Sequence, residues 1–232
     1  TVMKDRPRDS VFLATKVPPV LKQSRDSSTQ KTKGTSFLQK FEVSLKRLGV
    51  RYVDLLYLHN IKSGEAALSE TYLELLKKLK KEGKTRFIGT STHVKEPEVI
   101  RATADSKVYD VILTAYNFRQ PHLKEVEKAI AYAAKAGLGV IAMKTQAGVY
   151  WDRERQNPIN MKAALKWALK NENIHTSIPG FTTFDQLKLD MSVMEDLALT
   201  HQEKADLKMD KSLAMSGLYC AQCQKCLGQC TE

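Results

Sequence analysis

Tyr52-Val53-Asp54-Leu55-Leu56-Tyr57-Leu58 is a near-continuous apolar run that stops at His59-Asn60. Seven residues are too few for a buried helix and suit a strand covered on both faces, the habit of parallel sheets. The flanks agree. Residues 37–48 carry apolar side chains at helical spacing and stop at Gly49, and residues 72–81 do the same before Gly83. Glycine just past the last helical residue is the expected stop. Working outward, further strand-like runs fall at 11–15, 86–90, 111–114, 139–143 and 175–178. Helical patterns fall at 123–136 (before Gly137), 161–170, 184–197 and 202–212. The polar stretch 24–34 reads as a loop. Strands alternating with helices predict βαβ units and a parallel sheet.

Two architectures fit six such units, a doubly wound open sheet and a (β/α)8 barrel. No G-x-G-x-x-G follows the first strand. Polar residues instead follow several strands: Lys16, His59, Ser91, Asn117, Lys144 and Gly180. Functional groups at the carboxyl ends of many strands are the barrel habit. The expectation is α/β, a (β/α)8 TIM barrel lacking about two units. Residues 1–212 would form the partial barrel, and 213–232 a cysteine-rich segment.

All four cysteines lie in that segment. Cys220, Cys223, Cys226 and Cys230 are spaced C-x2-C-x2-C-x3-C. Disulfide cysteines would be scattered to staple distant segments, whereas these are crowded enough to wrap one inorganic object. Iron–sulfur proteins use this run, although theirs usually continues with proline where Thr231 stands here. Zinc more often takes two C-x2-C pairs set further apart. A 4Fe-4S cluster fits best, with zinc and a tail of reducible thiols as the alternatives.

The 232 residues carry a formal charge of +11. The lysines mostly decorate helical patterns such as Leu75-Leu76-Lys77-Lys78-Leu79-Lys80-Lys81, which suits a solvated helix face, and no nucleic-acid-binding signature accompanies them. Nucleic acid is not expected as a partner; attraction of small anions is. No run is long enough to span a bilayer and no apolar signal segment opens the sequence. The cysteine-free body suits a reducing compartment, so a cytoplasmic location is expected, with an export signal on a missing N-terminus left open.

Five stretches, in order and at matching spacing, resemble the aldo-keto reductases. They are Ala14-Thr15-Lys16-Val17, Asp54 to His59, Gly83 to Ser91, Val140 to Lys144, and Ser177-Ile178-Pro179-Gly180. The cysteine tail resembles a bacterial branch of that family with an iron–sulfur motif. The resemblance implies an enzyme that binds NADPH, or NADH, across a barrel mouth and passes hydride to a small-molecule aldehyde or ketone. It implies an electron-transfer partner if the cluster works in redox. In the family a tyrosine protonates the oxyanion, a lysine paired with an aspartate lowers that tyrosine's pKa, and a histidine orients the carbonyl. Lys16 matches the lysine and His59 the histidine. Developing oxyanion charge needs such preorganised donors.

The matching tyrosine and aspartate are absent. They would precede Lys16, so the sequence reads as a fragment missing its first two βα units, with weak or no turnover expected. Tyr52 and Tyr57 read as packing residues within a strand. By the same resemblance Ser91 and Thr92 hold the nicotinamide carboxamide, and Met143 lies against the ring. Lys144, Thr145 and Gln146 lead through the pyrophosphate loop. The stretch from Gly180 to Asp190 takes the adenosine phosphate, with Gly180 and Gln186 where NADPH users place a lysine and an arginine. Thr182, Thr183 and Gln186 could still hydrogen-bond a ribose or phosphate, so NADPH and NADH both stay open. Two rivals remain: a Schiff-base aldolase using Lys144 or Lys16, and a non-catalytic nucleotide-binding or electron-transfer scaffold.

Overall fold

The computed structural model describes residues 6–19, 30–152 and 154–207. The four cysteines lie outside them, as does the boundary expected at 212. Six strands alternate with helices: β1 (Ala14–Val17), α1 (Gln30–Leu48), β2 (Val53–Leu58), α2 (Gly64–Ala67), α3 (Glu70–Lys81), β3 (Thr85–Thr92), α4 (Glu96–Asp105), β4 (Val111–Ala115), α5 (Leu123–Lys135), β5 (Gly139–Met143), α6 (Met161–Leu169), β6 (Thr176–Ser177), α7 (Phe184–Ser192) and α8 (His201–Asp206). The strands follow one another in the sheet in chain order. This is the (β/α)-barrel type of fold, seen here as an open six-stranded sheet.

The chain divides into two compact units, Thr1–Thr114 with Ala131–Val140, and Ala115–Ile130 with Ile141–Glu232. In the first, β1, β2, β3 and β4 pair in parallel. All six residues of β2 are buried. Alternate residues Leu56, Leu58, Val17 and Ile88 pack with Phe37, Phe41, Leu45, Leu76 and Leu79 from the helices. Tyr72, Leu76 and Leu79 recur at helical spacing on α3, which explains both the helix and its docking. In the second unit β5 pairs with β6. Phe118, Trp151, Ile159, Ala163, Ala164 and Leu207 form the core there.

Asp54 is the exception within β2. Its carboxylate is buried, yet it accepts the Leu13 N–H at 2.8 Å and pairs with Arg8 at 2.7 Å and Arg86 at 3.0 Å. Burial alone would raise its pKa; the Leu13 N–H and the two guanidinium groups outweigh that and hold it below 3.8. One side chain thereby joins the residue before β1, the strand β2 and the second residue of β3.

The structure corrects several expectations. β1 spans Ala14–Val17 rather than 11–15, so Lys16 stands inside the strand. Among the described residues that strand stands at the end of the sheet, and Lys16 is exposed on it. α1 starts at Gln30, so 30–34 is helix where a loop was expected. β6 keeps two residues, and α7 stops at Ser192 before a single 3-10 turn, Val193–Glu195. Helices α2 and α4 were not expected. α4 does carry a start signal, Pro97 in a first turn with Glu96 and Glu98.

Replacing Asp54 by alanine leaves the Leu13 N–H and two arginines without their acceptor. We expect a loss of about 3 kcal/mol in urea unfolding. The folded pKa is depressed, so this stability is present above the unfolded value and lost as pH falls through the folded one. The variant should therefore lose less stability than the parent on acidification below pH 3.8.

Candidate active site

In the first unit the register decides which side chains share a face. Lys16 lies opposite Tyr57, Tyr57 opposite Gly89, and Gly89 opposite Val111. Side chains alternate along a strand, so Lys16, Tyr57 and Val111 point to one face of the sheet, as do His59 and Ser91 two residues further along. A Cβ on Gly89 would sit 2.6 Å from the Val111 carbonyl oxygen and 3.0 Å from the Tyr57 ring. The Tyr57 ring fills the place of that absent side chain, which bears out its reading as a packing residue. Burial raises its phenol pKa.

Above that row the loops after β2 and β3 are stitched together. His59 N–H donates to Val17 C=O at 2.9 Å, Asn60 N–H to Ser91 Oγ at 3.0 Å, and Ile61 N–H to Ser91 C=O at 2.8 Å. Thr92 Oγ1 lies 2.7 Å from the carbonyl oxygens of Ile61 and Val94. Its hydroxyl is thus committed inside the loop, whereas Ser91 accepts a hydrogen bond and keeps a proton to donate. Lys16 retains solvent contact, and the cover it has lowers its ammonium pKa. His59 is half-buried; burial first, then Lys16 and His93, hold its imidazole below the ordinary range. A neutral imidazole can donate to a carbonyl oxygen through its one N–H.

Two residues not singled out in the sequence belong here. Asn60 adopts a left-handed backbone, with φ of 57°, and its Oδ1 is buried with no hydrogen-bond partner among the described residues. His93 follows β3 close enough to His59 for its charge to bear on that imidazole. Their signal was the position itself, polar residues just past strand ends.

In the second unit Met143 ends β5 and Lys144 turns the chain with φ of 55°. Ala147 and Gly148 also have positive φ, giving the loop a tight path. Thr145 is buried with its Oγ1 unpartnered. Gln146 Nε2 donates to Asp190 Oδ1 at 3.4 Å, and Asp190 Oδ2 is buried and unpartnered. Burial raises the Asp190 pKa. Two of the expected cofactor residues, Gln146 and Asp190, thus meet, and Thr145 and Asp190 each keep an unsatisfied buried atom, which native proteins rarely leave without a ligand or water. Asn117 Nδ2 is a further unpartnered buried donor in this unit.

Thr182, Thr183 and Gln186 also come together, for a local reason. Gln186 Oε1 accepts from Thr182 N–H at 2.6 Å and Thr183 N–H at 3.3 Å, while Thr183 Oγ1 accepts from Gln186 N–H at 3.2 Å. This capping box starts α7. Gly180 is exposed beside Phe181. Among the described residues no group of three or more His, Cys, Asp or Glu is placed to hold a metal ion, and no helix is long and apolar enough to cross a membrane.

These donors lie on a sheet of the (β/α)-barrel type, and the comparisons with known proteins give the family. The chain belongs to the aldo/keto reductase family, whose pattern matches residues 1–163. It is 26% identical over 218 residues to L-galactose dehydrogenase of Arabidopsis thaliana, covering 82% of this chain and 66% of that protein. It thus spans just under two thirds of that relative's length. Among solved structures, the holo form of an aldo-keto reductase from Bacillus halodurans superposes with a TM-score of 0.65 at 23% identity, over 90% of this chain and 75% of the other. A structure from Pseudomonas aeruginosa gives 0.64 at 18% identity, over 83% of this chain and 70% of the other.

If Lys16 depresses His59 through its charge, removing that charge must raise the imidazole pKa. NMR titration should find His59 below the ordinary imidazole range and Lys16→Met moving it part of the way back, since burial remains. An unmoved His59 in the variant would refute the coupling.

Proposed function

We propose that the protein is an NAD(P)H-dependent oxidoreductase that reduces aldehydes or ketones. The observation that carries this is the placement of Lys16, His59 and Ser91 on one face of adjacent strands in a chain of the aldo/keto reductase family. When bound, the nicotinamide supplies the hydride. His59 orients the carbonyl oxygen, and Lys16 stabilises the negative charge that develops there. Ser91 and Asn60 offer a donor and an acceptor to the carboxamide, whose NH2 and C=O need one of each. Thr92 supports them from within the loop. Met143 supplies an apolar surface to the ring.

For the adenosine half, Thr145, Gln146 and Asp190 fit a group that brings its own donors. A buried carboxylate with a free oxygen asks for a hydroxyl or an amino group, as ribose and adenine provide. Phe181 and Phe184, 49% and 81% exposed, offer stacking surfaces beside the Thr182–Thr183–Gln186 cap. Gly180 and Gln186 bring no positive charge for a 2′-phosphate, so NADH is expected to compete well with NADPH. No tyrosine in the chain matches the family's proton donor, so binding is the property to measure first.

The chain should quench or enhance nicotinamide fluorescence saturably on titration with NADH and NADPH. Thr145→Val and Asp190→Leu should each weaken binding about tenfold, the loss of one hydrogen bond to a buried group. Unchanged affinity in both variants would remove the adenosine assignment.

We further propose that Cys220, Cys223, Cys226 and Cys230 hold a 4Fe-4S cluster, served by an electron-transfer partner in a reducing compartment such as the cytoplasm. The support is the spacing alone. Anaerobic reconstitution with iron and sulfide should give four irons and four sulfides per chain, and a paramagnetic signal after one-electron reduction. Cys223→Ser should abolish the signal; a zinc-only product in the parent would overturn the assignment.

A further inference from the structure

We propose that the cavity between α5, α6 and α8 is a binding site for planar aromatic carboxylates, with Trp167 as its floor and Lys170 and Lys204 as its anion-binding pair. The inference does not rest on the reductase reading: none of these residues belongs to the candidate active site, and all lie in the second unit.

The cavity measures about 450 Å3, within the range of small-molecule pockets. Trp167, Lys170 and Asn171 stand three and four residues apart at the end of α6 and all line it, as helical spacing requires of one face. Glu127 enters from α5, Lys204 from α8, and Leu199 from the segment before α8. Trp167 is half-buried and its indole is held in place. The Tyr116 ring lies 5.0 Å from it at 31°, and the Phe118 ring 6.3 Å away at 67°. Tyr116 is fixed in turn: its hydroxyl donates to Glu127 Oε1 at 3.0 Å and accepts from Asn171 Nδ2 at 3.0 Å. With that hydroxyl engaged, the indole and Leu199 present the apolar surface of the cavity. An aromatic face already fixed by its neighbours loses little freedom when a second ring stacks on it.

The charges give the sign of the ligand. Lys170 and Lys204 are exposed, and among the described residues neither has an ion-pair partner. The carboxylates of α8 are engaged elsewhere: Glu203 pairs with Lys166 at 3.1 Å, and Asp206 accepts from Asn160 at 2.8 Å and Gln202 at 2.7 Å. Glu172, next to Asn171, is exposed and does not line the cavity. Glu127 is the single carboxylate on the wall, and one of its oxygens is taken by Tyr116. Two cations against one anion leave the cavity positive, so it favours a negative group beside the apolar one. An aromatic ring on Trp167 with a carboxylate reaching the lysines meets both requirements.

The test uses the intact chain and the probes 2-naphthoate and 2-naphthamide, which share a ring system and differ in charge, followed by calorimetry and NMR. We expect the acid to bind saturably and about tenfold more tightly than the amide, as two cations at a partly exposed site allow. Its ring protons should show nuclear Overhauser contacts to the Trp167 indole. Lys170→Gln combined with Lys204→Gln should lower the acid to the affinity of the amide and leave the amide unchanged. Lys95→Gln, which removes a charge from the first unit, should change neither. Glu127→Gln keeps an acceptor for Tyr116 and removes the opposing charge, so it should tighten the acid. Equal affinity for acid and amide, an equal loss from Lys95→Gln, or no saturable binding would overturn the proposal. So would displacement of naphthoate by NADH, which would place the probe at the cofactor residues instead. Naphthoate binding that persists beside NADH supports the site whether or not hydride is transferred.

Discussion

The buried Asp54 carboxylate is the constraint on which the first unit turns. A charge with 2% of its surface exposed is costly to desolvate and is tolerated only where hydrogen bonds and opposite charge replace the lost water. Here the replacements come from three directions: the backbone before β1, Arg8, and Arg86 at the start of β3. Sliding β1 by one residue would remove the Leu13 N–H and turn Lys16 to the helix-covered face. The same slip would place Thr15 beside Tyr57. Asp54 therefore specifies which face Lys16 occupies, although it sits at the opposite end of the strand from His59.

Gly89 makes the second half of that specification. Its neighbour Val111 approaches so closely that any side chain would collide with a carbonyl oxygen. A glycine in a strand interior normally weakens it. The Tyr57 ring covers the gap and restores the buried contact. The row Lys16–Tyr57–Gly89–Val111 thus has one cation at the sheet edge and an apolar floor beside it. The next row, His59 and Ser91, rests on that floor, where partial burial lowers the imidazole pKa.

Much of this was legible in the sequence. The six strands came from short apolar runs, and glycine stops at Gly49, Gly83 and Gly137, all with positive φ in the structure, marked three helix ends. Helix α4 escaped because Val99 and Ile100 are diluted by Ala102, Thr103 and Ala104, small residues that bury well without producing a strong apolar stripe. The start of α1 escaped because Gln30 to Gly34 is polar, and polarity alone does not separate an exposed first turn from a loop. β1 was misplaced because Phe12 looks like a strand core residue, yet it is 62% exposed and stacks on Phe87 outside the pairing. Among the candidate residues, the shared face of Lys16, His59 and Ser91 was legible from their positions relative to the strands. Asn60 was not, since an orphaned carbonyl oxygen is a property of packing. Nor was the commitment of Thr92 to the loop, which depends on the face it takes.

The two units present opposite hydrogen-bonding characters at the candidate residues, and the difference bears on what the protein can hold. In the first, Lys16, His59 and Ser91 are donors or become donors on protonation, and the Asn60 oxygen is a buried acceptor with no partner among the described residues. In the second, the unsatisfied Asp190 oxygen is an acceptor that stays costly while ionised, because Gln146 satisfies only its partner oxygen. An electron-rich oxygen suits the donors of the first unit, and hydroxyl or amino donors suit the unpartnered oxygens of Asn60 and Asp190. A carbonyl substrate meets the first requirement and the adenosine of a nicotinamide cofactor meets the second. A donor arriving at Asp190 would end that desolvation without a partner, so under the proposed function this carboxylate serves affinity rather than fold stability.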